Sequence, residues 1–208
     1  MAAMSWRAAT AELAARDDAL AAVIAAAGPV RLRPRDPDGH FGALVRAIAY
    51  QQLAGKAAAA IHGRFRALVP GALTPESVLA LAPEAMRAAG LSAAKTASVR
   101  DLAARAAGGE LGLAGLPRLA DGEVVARLST VRGIGRWTAE MFLLFELRRL
   151  DVWPTGDLAV REGWRVAHGL ETPPKPAELE VLGDALRPVR SVAAWYCWRA
   201  VHLARGGA

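Results

Sequence analysis

The stretch VRGIGRWTAE, residues 131–140, holds two glycines one residue apart, an arginine on each side of them and a tryptophan directly after. Helical periodicity on both sides predicts a helix, a tight turn and a second helix. Glycine tolerates positive φ, and a helix that follows such a turn begins with N–H groups that lack intrahelical partners. These groups and the positive end of the helix dipole attract an anion. The turn therefore suits a phosphate group, and a plain corner between packed helices is the alternative.

Two better-known phosphate motifs do not match this stretch. A dinucleotide-binding fingerprint needs a third glycine where Thr138 stands, and it follows a strand rather than a helix. A P-loop needs Gly-Lys and then Ser or Thr, which do not follow here. Both nucleotide-binding classes are therefore excluded.

The composition of the whole chain favours helices. Its 208 residues are 53% hydrophobic, which is enough for a real core. Alanine is abundant, and alanine has the best intrinsic helix propensity. We find no period-2 strand of useful length and no internal repeat, so we expect an all-α fold.

The charge and the cysteine content limit the possible binding partners and metal sites of the protein. The formal net charge is +6 and arginine exceeds lysine, which favours a nucleic-acid partner, although an arginine-rich surface without one is the alternative. Cys197 is the only cysteine, which excludes internal disulfides, four-cysteine iron–sulfur clusters and multi-cysteine zinc sites. No segment approaches the roughly 18 apolar residues of a membrane span. We therefore expect a cytoplasmic protein with no membrane partner.

Periodicity and capping signals predict where the helices lie. Thr74 with Pro75, Ser92 and Asp121 are expected N-caps, and 30–40 is a proline-rich connector. The 137–149 helix is apolar on almost every side, so we expect it to be buried. Other expected helices are 5–26, a strongly amphipathic one on Phe41, Leu44, Val45 and Ile48, and then 158–168, 176–187 and 189–205.

A longer segment carries a family resemblance. LSTVRGIGRWTAEMFLLFELRRLDVWPTGDLAV, residues 128–160, resembles the helix–hairpin–helix, Gly/Pro-rich loop and catalytic aspartate of the HhH-GPD DNA glycosylases, in particular the 3-methyladenine DNA glycosylase II branch. The likeness extends to FGALVRAIAYQQLAGKAAAAI at 41–61 and RPVRSVAAWYCW at 187–198. It implies one catalytic unit of two helical subdomains, a hairpin lobe at about 41–150 and a second lobe from about 1–40 plus 151–208, with the active site in the cleft between them.

The resemblance implies that Asp157 is the catalytic residue. Breaking a base–sugar bond develops positive charge on the deoxyribose, much as glycoside hydrolysis does. A fixed carboxylate stabilises that charge and helps to orient water. Asp157 also stands just before an expected helix, where it suits an N-cap, and the two roles are compatible.

The residue at position 137, a tryptophan, indicates whether the enzyme only releases the base or also cuts the DNA strand. Members of the family that also cut the DNA strand carry a lysine at this position, and an indole cannot attack a sugar carbon. Neither Lys56 nor Lys95 lies in a matching motif. We therefore expect a monofunctional glycosylase that leaves an abasic site.

The resemblance also implies a base pocket. The indole of Trp137 gives a cationic alkylated base a face on which to stack, worth roughly 0.5–2 kcal/mol. Met141 stands where some relatives have a tyrosine. Trp198 and Tyr50 complete the expected pocket, with core packing as the alternative for each, and core packing is what we expect of Trp153, Trp164 and Trp195.

The remaining expected contacts are with duplex DNA. The segment YQQLAG, residues 50–55, matches the family's wedge loop, which fills the gap that a flipped base leaves in the duplex. Gln52 is the preferred wedge residue and Leu53 is the second choice. Without the family alignment, a helix kink is the simpler interpretation of this segment. A Na⁺ or K⁺ ion on the backbone carbonyls of Val131 and Gly133 is the only expected cofactor. The hairpin residues expected to contact DNA are Arg132, Gly133, Ile134, Gly135, Arg136 and Thr138.

Together these features predict a monomeric base excision repair enzyme. It hydrolyses the N-glycosidic bond of alkylated purines, of the 3-methyladenine and 7-methylguanine type, in double-stranded DNA after base flipping. One alternative is a glycosylase for another lesion, such as hypoxanthine, an etheno adduct or an oxidised purine. The other is a non-catalytic helix–hairpin–helix module, which has no need of Asp157 and Trp137.

Overall fold

The computed structural model describes residues 4–207, which form helices joined by turns and contain no β-strand. The expected all-α fold is therefore confirmed. None of the helices in this range combines the length and the hydrophobicity needed to cross a membrane. The α-helices are α1 (Trp6–Arg16), α2 (Asp18–Ala27), α3 (Gly39–Tyr50), α4 (Gly55–Ala67), α5 (Pro75–Leu79), α6 (Pro83–Ala88), α7 (Ala93–Ala107), α8 (Asp121–Leu128), α9 (Arg136–Phe145), α10 (Leu158–His168), α11 (Pro176–Leu182) and α12 (Arg190–Ala204). Two short 3₁₀ helices cover Leu113–Arg118 and Gly183–Leu186.

The helices form two compact units. The central unit runs from Pro34 to Leu147 and contains α3 to α9. The terminal unit joins residues 4–33 with residues 148–207 and contains α1, α2, α10, α11 and α12.

In the terminal unit, α10 and α12 pack closely against each other, and α1 and α2 pack on α12. Gly163 makes this close approach possible. A Cβ atom on Gly163 would lie 1.9 Å from the carbonyl oxygen of Cys197. The buried hydrophobic residues of this unit include Leu13, Leu20, Val160, Trp164, Val192 and Tyr196.

In the central unit, α3 is the innermost amphipathic helix. Phe41, Leu44, Val45 and Ile48 are all buried, as the apolar spacing predicts. This face packs against α4, α7 and α9. Helices α8 and α9 pack against each other and are joined by the short turn at residues 129–135.

The N-terminal segment corrects one expectation, because residues 5–26 are two helices rather than one. Asp17 leaves the helical conformation, with φ −146° and ψ 103°. Its N–H donates to Leu13 O at 3.1 Å and closes α1, and its carboxylate accepts from Leu20 N at 2.8 Å and starts α2. Aspartate side chains compete for backbone N–H groups in this way, which outweighs the helix propensity of the surrounding alanines.

Cap positions agree with expectation at two helices and differ at a third. Thr74 caps α5 with Pro75 in its first turn, and Ser92 caps α7, as predicted. The expected N-cap at Asp121 is wrong by one residue: Ala120 is the N-cap, and the Glu123 carboxylate accepts from its N–H at 2.9 Å.

Helix α10 has the predicted bounds, and two of the other predicted helices are shorter than expected. Helix α9 ends at Phe145 rather than 149, and Arg148 has a left-handed φ of 62° that no α-helix continues through. The expected 176–187 helix is α11 followed by a 3₁₀ turn, and the expected 189–205 helix is α12.

Candidate active site

The turn between α8 and α9 needs its first glycine for two reasons. Gly133 has a φ of +76°, and a Cβ atom there would meet Ser98 Oγ at 2.5 Å. The chain then enters α9 at Arg136, and Gly135 at the N-cap makes no side-chain cap hydrogen bond. The start of α9 thus presents backbone N–H groups without a capping side chain, which is the geometry of an anion site.

The hairpin residues predicted to contact DNA include both buried and exposed side chains. Ile134 and Thr138 are buried, at 3% and 5% exposure, so their side chains belong to the packing of the hairpin rather than to its surface. The Arg132 N–H donates to Asp101 Oδ2 at 2.8 Å, which fixes the turn against α7. Arg136 is exposed and its Nε lies 2.7 Å from Glu140 Oε1, so Glu140 offsets part of its charge.

The two carbonyls of the expected cation site already accept hydrogen bonds. Val131 O accepts from Ile134 N at 3.0 Å, and Gly133 O accepts from Gln51 Nε2 at 2.9 Å. A carbonyl oxygen has two lone pairs, so each keeps one for a hard cation, and the ion stays a prediction. A monovalent cation bound there would offset part of the negative charge of a DNA phosphate. Residues 4–207 contain no cluster of three or more His, Cys, Asp or Glu side chains that could hold a metal.

Trp137 lies on the surface, in the first turn of α9. Its side chain is 48% exposed, although α9 is otherwise largely buried. The expectation that this whole helix is buried is therefore wrong at its start. Met141 follows four residues later on the same helical face and is half-buried. The two side chains suit a stacking surface better than a core position.

The Asp157 carboxylate is held by three donors. Oδ1 accepts from Ala159 N at 2.8 Å and Val160 N at 3.0 Å, which makes Asp157 the N-cap of α10. The same oxygen lies 3.3 Å from Trp198 Nε1 on α12. The side chain is 9% exposed. A buried carboxylate fixed by backbone and indole N–H groups, at the positive end of a helix, is preorganised to face developing positive charge.

The loop before Asp157 is anchored by the start of α12. Val152 N donates to Ser191 Oγ at 2.8 Å, and Ser191 N donates to Leu150 O at 2.9 Å. Arg190 binds Asp151 through two side-chain contacts, at 2.7 Å and 3.0 Å. A bidentate, largely buried pair of this kind has a fixed geometry, so the loop reaches Asp157 in one conformation.

Comparison with known proteins identifies the fold family. Residues 45–188 match the HhH-GPD superfamily of base excision DNA repair proteins. The chain belongs to this superfamily. The segments that the sequence predicts to be the family's helix–hairpin–helix and its Gly/Pro-rich loop, which are the α8–α9 pair and the loop that ends at Asp157, both lie within the matched residues.

Named relatives of this HhH-GPD chain are alkylation repair proteins. DNA-3-methyladenine glycosylase 1 of Schizosaccharomyces pombe is 41% identical over an alignment of 172 residues, and the alignment covers 77% of this chain and 72% of the relative. The structure of the S. pombe 3-methyladenine DNA glycosylase in complex with abasic DNA has a TM-score of 0.82 at 35% identity and covers 92% of this chain and 95% of that one. The DNA-3-methyladenine glycosidase from Bacillus halodurans has a TM-score of 0.83 at 36% identity, with 96% and 92% covered.

The remaining tryptophans of the HhH-GPD chain are mainly structural. Trp153 and Trp164 are buried and meet edge to face at 5.9 Å, as expected of core residues. Trp195 is only half-buried and packs on Tyr196 at 4.9 Å. The lone Cys197 is buried, and burial raises the pKa of its thiol, so it is not a nucleophile.

The segment predicted to act as a wedge is the turn between α3 and α4 of the HhH-GPD chain. Gln52 is exposed with a φ of +56°, and Leu53 is 38% exposed, so both side chains are available to a duplex. Tyr50 is half-buried, with the Arg46 guanidinium 4.8 Å from its ring centre and the His62 ring edge-on at 6.0 Å. Its place in a base pocket stays a prediction.

Sequence reasoning missed the residues that support these features. Arg190 and Ser191 lie in the RPVRS segment, whose sequence contributes to the family resemblance but does not indicate that these two residues anchor the loop before Asp157. Gln51 and Lys95 also received no structural role, although Gln51 adjoins the preferred wedge residue. Each acts through a partner distant in sequence, and no local pattern records such a pairing.

Proposed function

We propose that this protein is a DNA glycosylase that hydrolyses the N-glycosidic bond of alkylated purines, of the 3-methyladenine and 7-methylguanine type, in duplex DNA. The observation that carries the proposal is the Asp157 carboxylate, which two backbone N–H groups and the Trp198 indole hold at the start of α10. The names of the relatives support the choice of alkylated purines as substrates.

Asp157 supplies the electrostatic part of the reaction. The C1′–N bond breaks, its electron pair leaves with the base, and positive charge develops on the deoxyribose ring. The fixed, poorly solvated carboxylate stabilises that charge without reorganising. Water then bonds to C1′ and loses a proton, which gives an abasic site. A base alkylated at a ring nitrogen departs as a neutral molecule, so no general acid is required.

Trp137 supplies a face for the damaged base. A cationic ring is attracted to an indole by roughly 0.5–2 kcal/mol, and the neutral normal bases lack this term. The 48% exposure of Trp137 leaves the indole accessible at the protein surface. Met141, one turn further along α9, extends the same apolar face, and Trp198 combines an aromatic edge with its hydrogen bond to Asp157.

The reaction stops at the abasic site. Strand cleavage by a Schiff base requires an amine at the sugar carbon. Trp137 has none, and the Lys95 ammonium donates to Ala49 O and Gln51 O at 2.8 Å each. These two residues support monofunctional hydrolysis.

The protein binds the DNA backbone through the hairpin formed by α8 and α9. The first N–H groups of α9 and the exposed Arg132 suit a backbone phosphate, which gives affinity without sequence preference. Gln52 and Leu53, exposed on the α3–α4 turn, are the proposed pair that fills the gap left by the flipped nucleotide. We expect one protein molecule to suffice for each lesion.

The test uses duplexes that each carry one defined lesion. We expect release of 7-methylguanine, and of 3-methyladenine from methylated DNA, with strands that stay intact until alkali treatment. Release of only hypoxanthine, ethenoadenine or 8-oxoguanine would overturn the proposed substrate class. DNA binding without release of any base would show a non-catalytic module. Strand nicks together with borohydride trapping would contradict monofunctional hydrolysis.

A further inference from the structure

The turn that carries Gln52 and Leu53 is conformationally strained. Gln51 leaves α3 with φ −54° and ψ 134°, and Gln52 follows with a φ of +56°. A residue other than glycine in this left-handed region costs about 1 kcal/mol. The Leu53 N–H closes the turn onto Tyr50 O at the long distance of 3.4 Å. The turn therefore needs outside support to keep this shape.

Lys95 supports the backbone of the turn from α7. Its Nζ donates to Ala49 O and to Gln51 O, both at 2.8 Å. These carbonyls lie at the C-terminal end of α3, where a positive charge is favoured by the helix dipole. Lys95 is half-buried, and its burial lowers the pKa of the ammonium group. A lysine placed there loses solvation, and the two charge-assisted hydrogen bonds offset that loss.

Gln51 ties the same turn to the hairpin. Its Nε2 donates to Gly133 O at 2.9 Å and to Thr138 Oγ1 at 3.3 Å. Gly133 lies in the turn that is proposed to bind phosphate, and Thr138 lies in the first turn of α9. The strained turn is thus held on one side through its backbone and on the other through a side chain.

We propose that Lys95 and Gln51 are positioning residues that join the wedge turn to the phosphate-binding hairpin as one stiff body. This inference rests on the proposed function. Extruding a paired nucleotide costs a few kcal/mol. A turn that changes conformation when the nucleotide is extruded cannot keep Gln52 and Leu53 inserted in the duplex, whereas a turn fixed to the hairpin can. The support is needed most when the damaged base is well paired.

Two substitutions remove the support with little change of volume. Lys95→Met keeps the apolar stem and removes both backbone contacts, and Gln51→Met removes the two hairpin contacts. Lys175→Met is the control, because it removes one positive charge from an exposed lysine of the terminal unit. Thermal unfolding verifies that each variant is folded. Gln51→Met acts on a side-chain contact alone and remains informative if Lys95→Met does not fold.

The measurement is the single-turnover rate of 7-methylguanine release from two duplexes. In one the lesion is opposite cytosine, and in the other it is opposite an abasic analogue, where extrusion is easier. We expect Lys95→Met and Gln51→Met to lower the rate about tenfold or more opposite cytosine and less than about threefold opposite the abasic analogue. The control should match the unmodified protein on both duplexes.

Each other outcome has a definite meaning. If the unmodified protein releases no base from either duplex, the proposed function fails. If it is active and the variants lose the same factor on both duplexes, or lose nothing, the positioning role is wrong while the proposed function stands.

Discussion

At the residue scale, Asp157 combines two roles that are often treated as alternatives. Its carboxylate caps α10 through Ala159 N and Val160 N, and the same oxygen accepts from the Trp198 indole. The cap holds the group still, and a group held still is what stabilises a developing charge at little reorganisation cost. Structural and chemical roles thus reinforce each other at this residue.

Trp198→Phe tests the indole contact at this scale. The substitution keeps an aromatic ring and removes the N–H that lies 3.3 Å from Asp157 Oδ1. Loss of one hydrogen bond to a charged group should lower the single-turnover rate of base release about tenfold, with little change in the Kd for DNA. A weaker Kd with an unchanged rate would show that Trp198 acts by stacking alone.

Residue roles could be predicted where the chemistry is local. The N-cap position of Asp157 follows from residue type and neighbours. The apolar pattern of α9, in contrast, predicts a buried Trp137, whereas Trp137 is 48% exposed. The hydrogen bond from Trp198 joins residues that are far apart in the chain, and so does the Lys95 contact with Gln51. Such pairs depend on how the helices pack, which periodicity does not specify.

At the element scale, the approach of α10 and α12 sets the distance between Asp157 and Trp198. Gly163 permits it, because any side chain would meet the backbone of Cys197. Local signals did predict most helices and the caps Thr74 and Ser92. They did not predict the break at Asp17, where one side chain ends α1 and starts α2.

Gly163→Ala should be strongly destabilising. The added Cβ would lie 1.9 Å from Cys197 O, and backbone cannot give way as a flexible side chain does. We expect a loss of about 3 kcal/mol or more in the free energy of unfolding, measured by urea denaturation. Gly63→Ala is the matched control, since it lies in α4 with open space around it and should be stabilising by about 0.5–1 kcal/mol. Equal effects of the two substitutions would refute the close-packing argument.

Gln52 can be tested for the cost of its left-handed conformation. Gln52→Gly and Gln52→Ala both remove the amide that is proposed to enter the duplex, but only glycine relieves the φ of +56°. The glycine variant should be more stable than the alanine variant by about 1 kcal/mol in thermal unfolding. Both should lose base release to a similar extent. Full activity in either variant would remove Gln52 from the wedge.

At the scale of the whole molecule, charge governs the encounter with DNA. The net charge of +6 favours association with any duplex, and the α9 N-terminus and Arg132 are the proposed contact site. Composition could predict this general preference for nucleic acid. It could not predict that Asp101 holds the Arg132 N–H or that Glu140 pairs with Arg136, and both contacts shape the hairpin's local charge.

Arg132→Gln should weaken DNA binding and its dependence on salt. A residue that neutralises one phosphate contributes a slope of about −0.9 to log K against log salt concentration. We therefore expect the slope to become shallower by about one in a fluorescence anisotropy titration. Arg165→Gln is the control, because Arg165 already pairs with Glu162 at 2.8 Å in the terminal unit. An unchanged slope in Arg132→Gln would exclude a phosphate contact at this residue.

The central claim is that the charge of Asp157 drives base release, and Asp157→Asn tests it most directly. Asparagine caps a helix about as well as aspartate, so α10 should persist and stability should change by less than about 1 kcal/mol. We predict that the single-turnover release of 7-methylguanine falls at least about a hundredfold, while DNA affinity and thermal unfolding stay close to those of the unmodified protein. A folded Asp157→Asn protein that still releases 7-methylguanine at the unmodified rate would contradict the account.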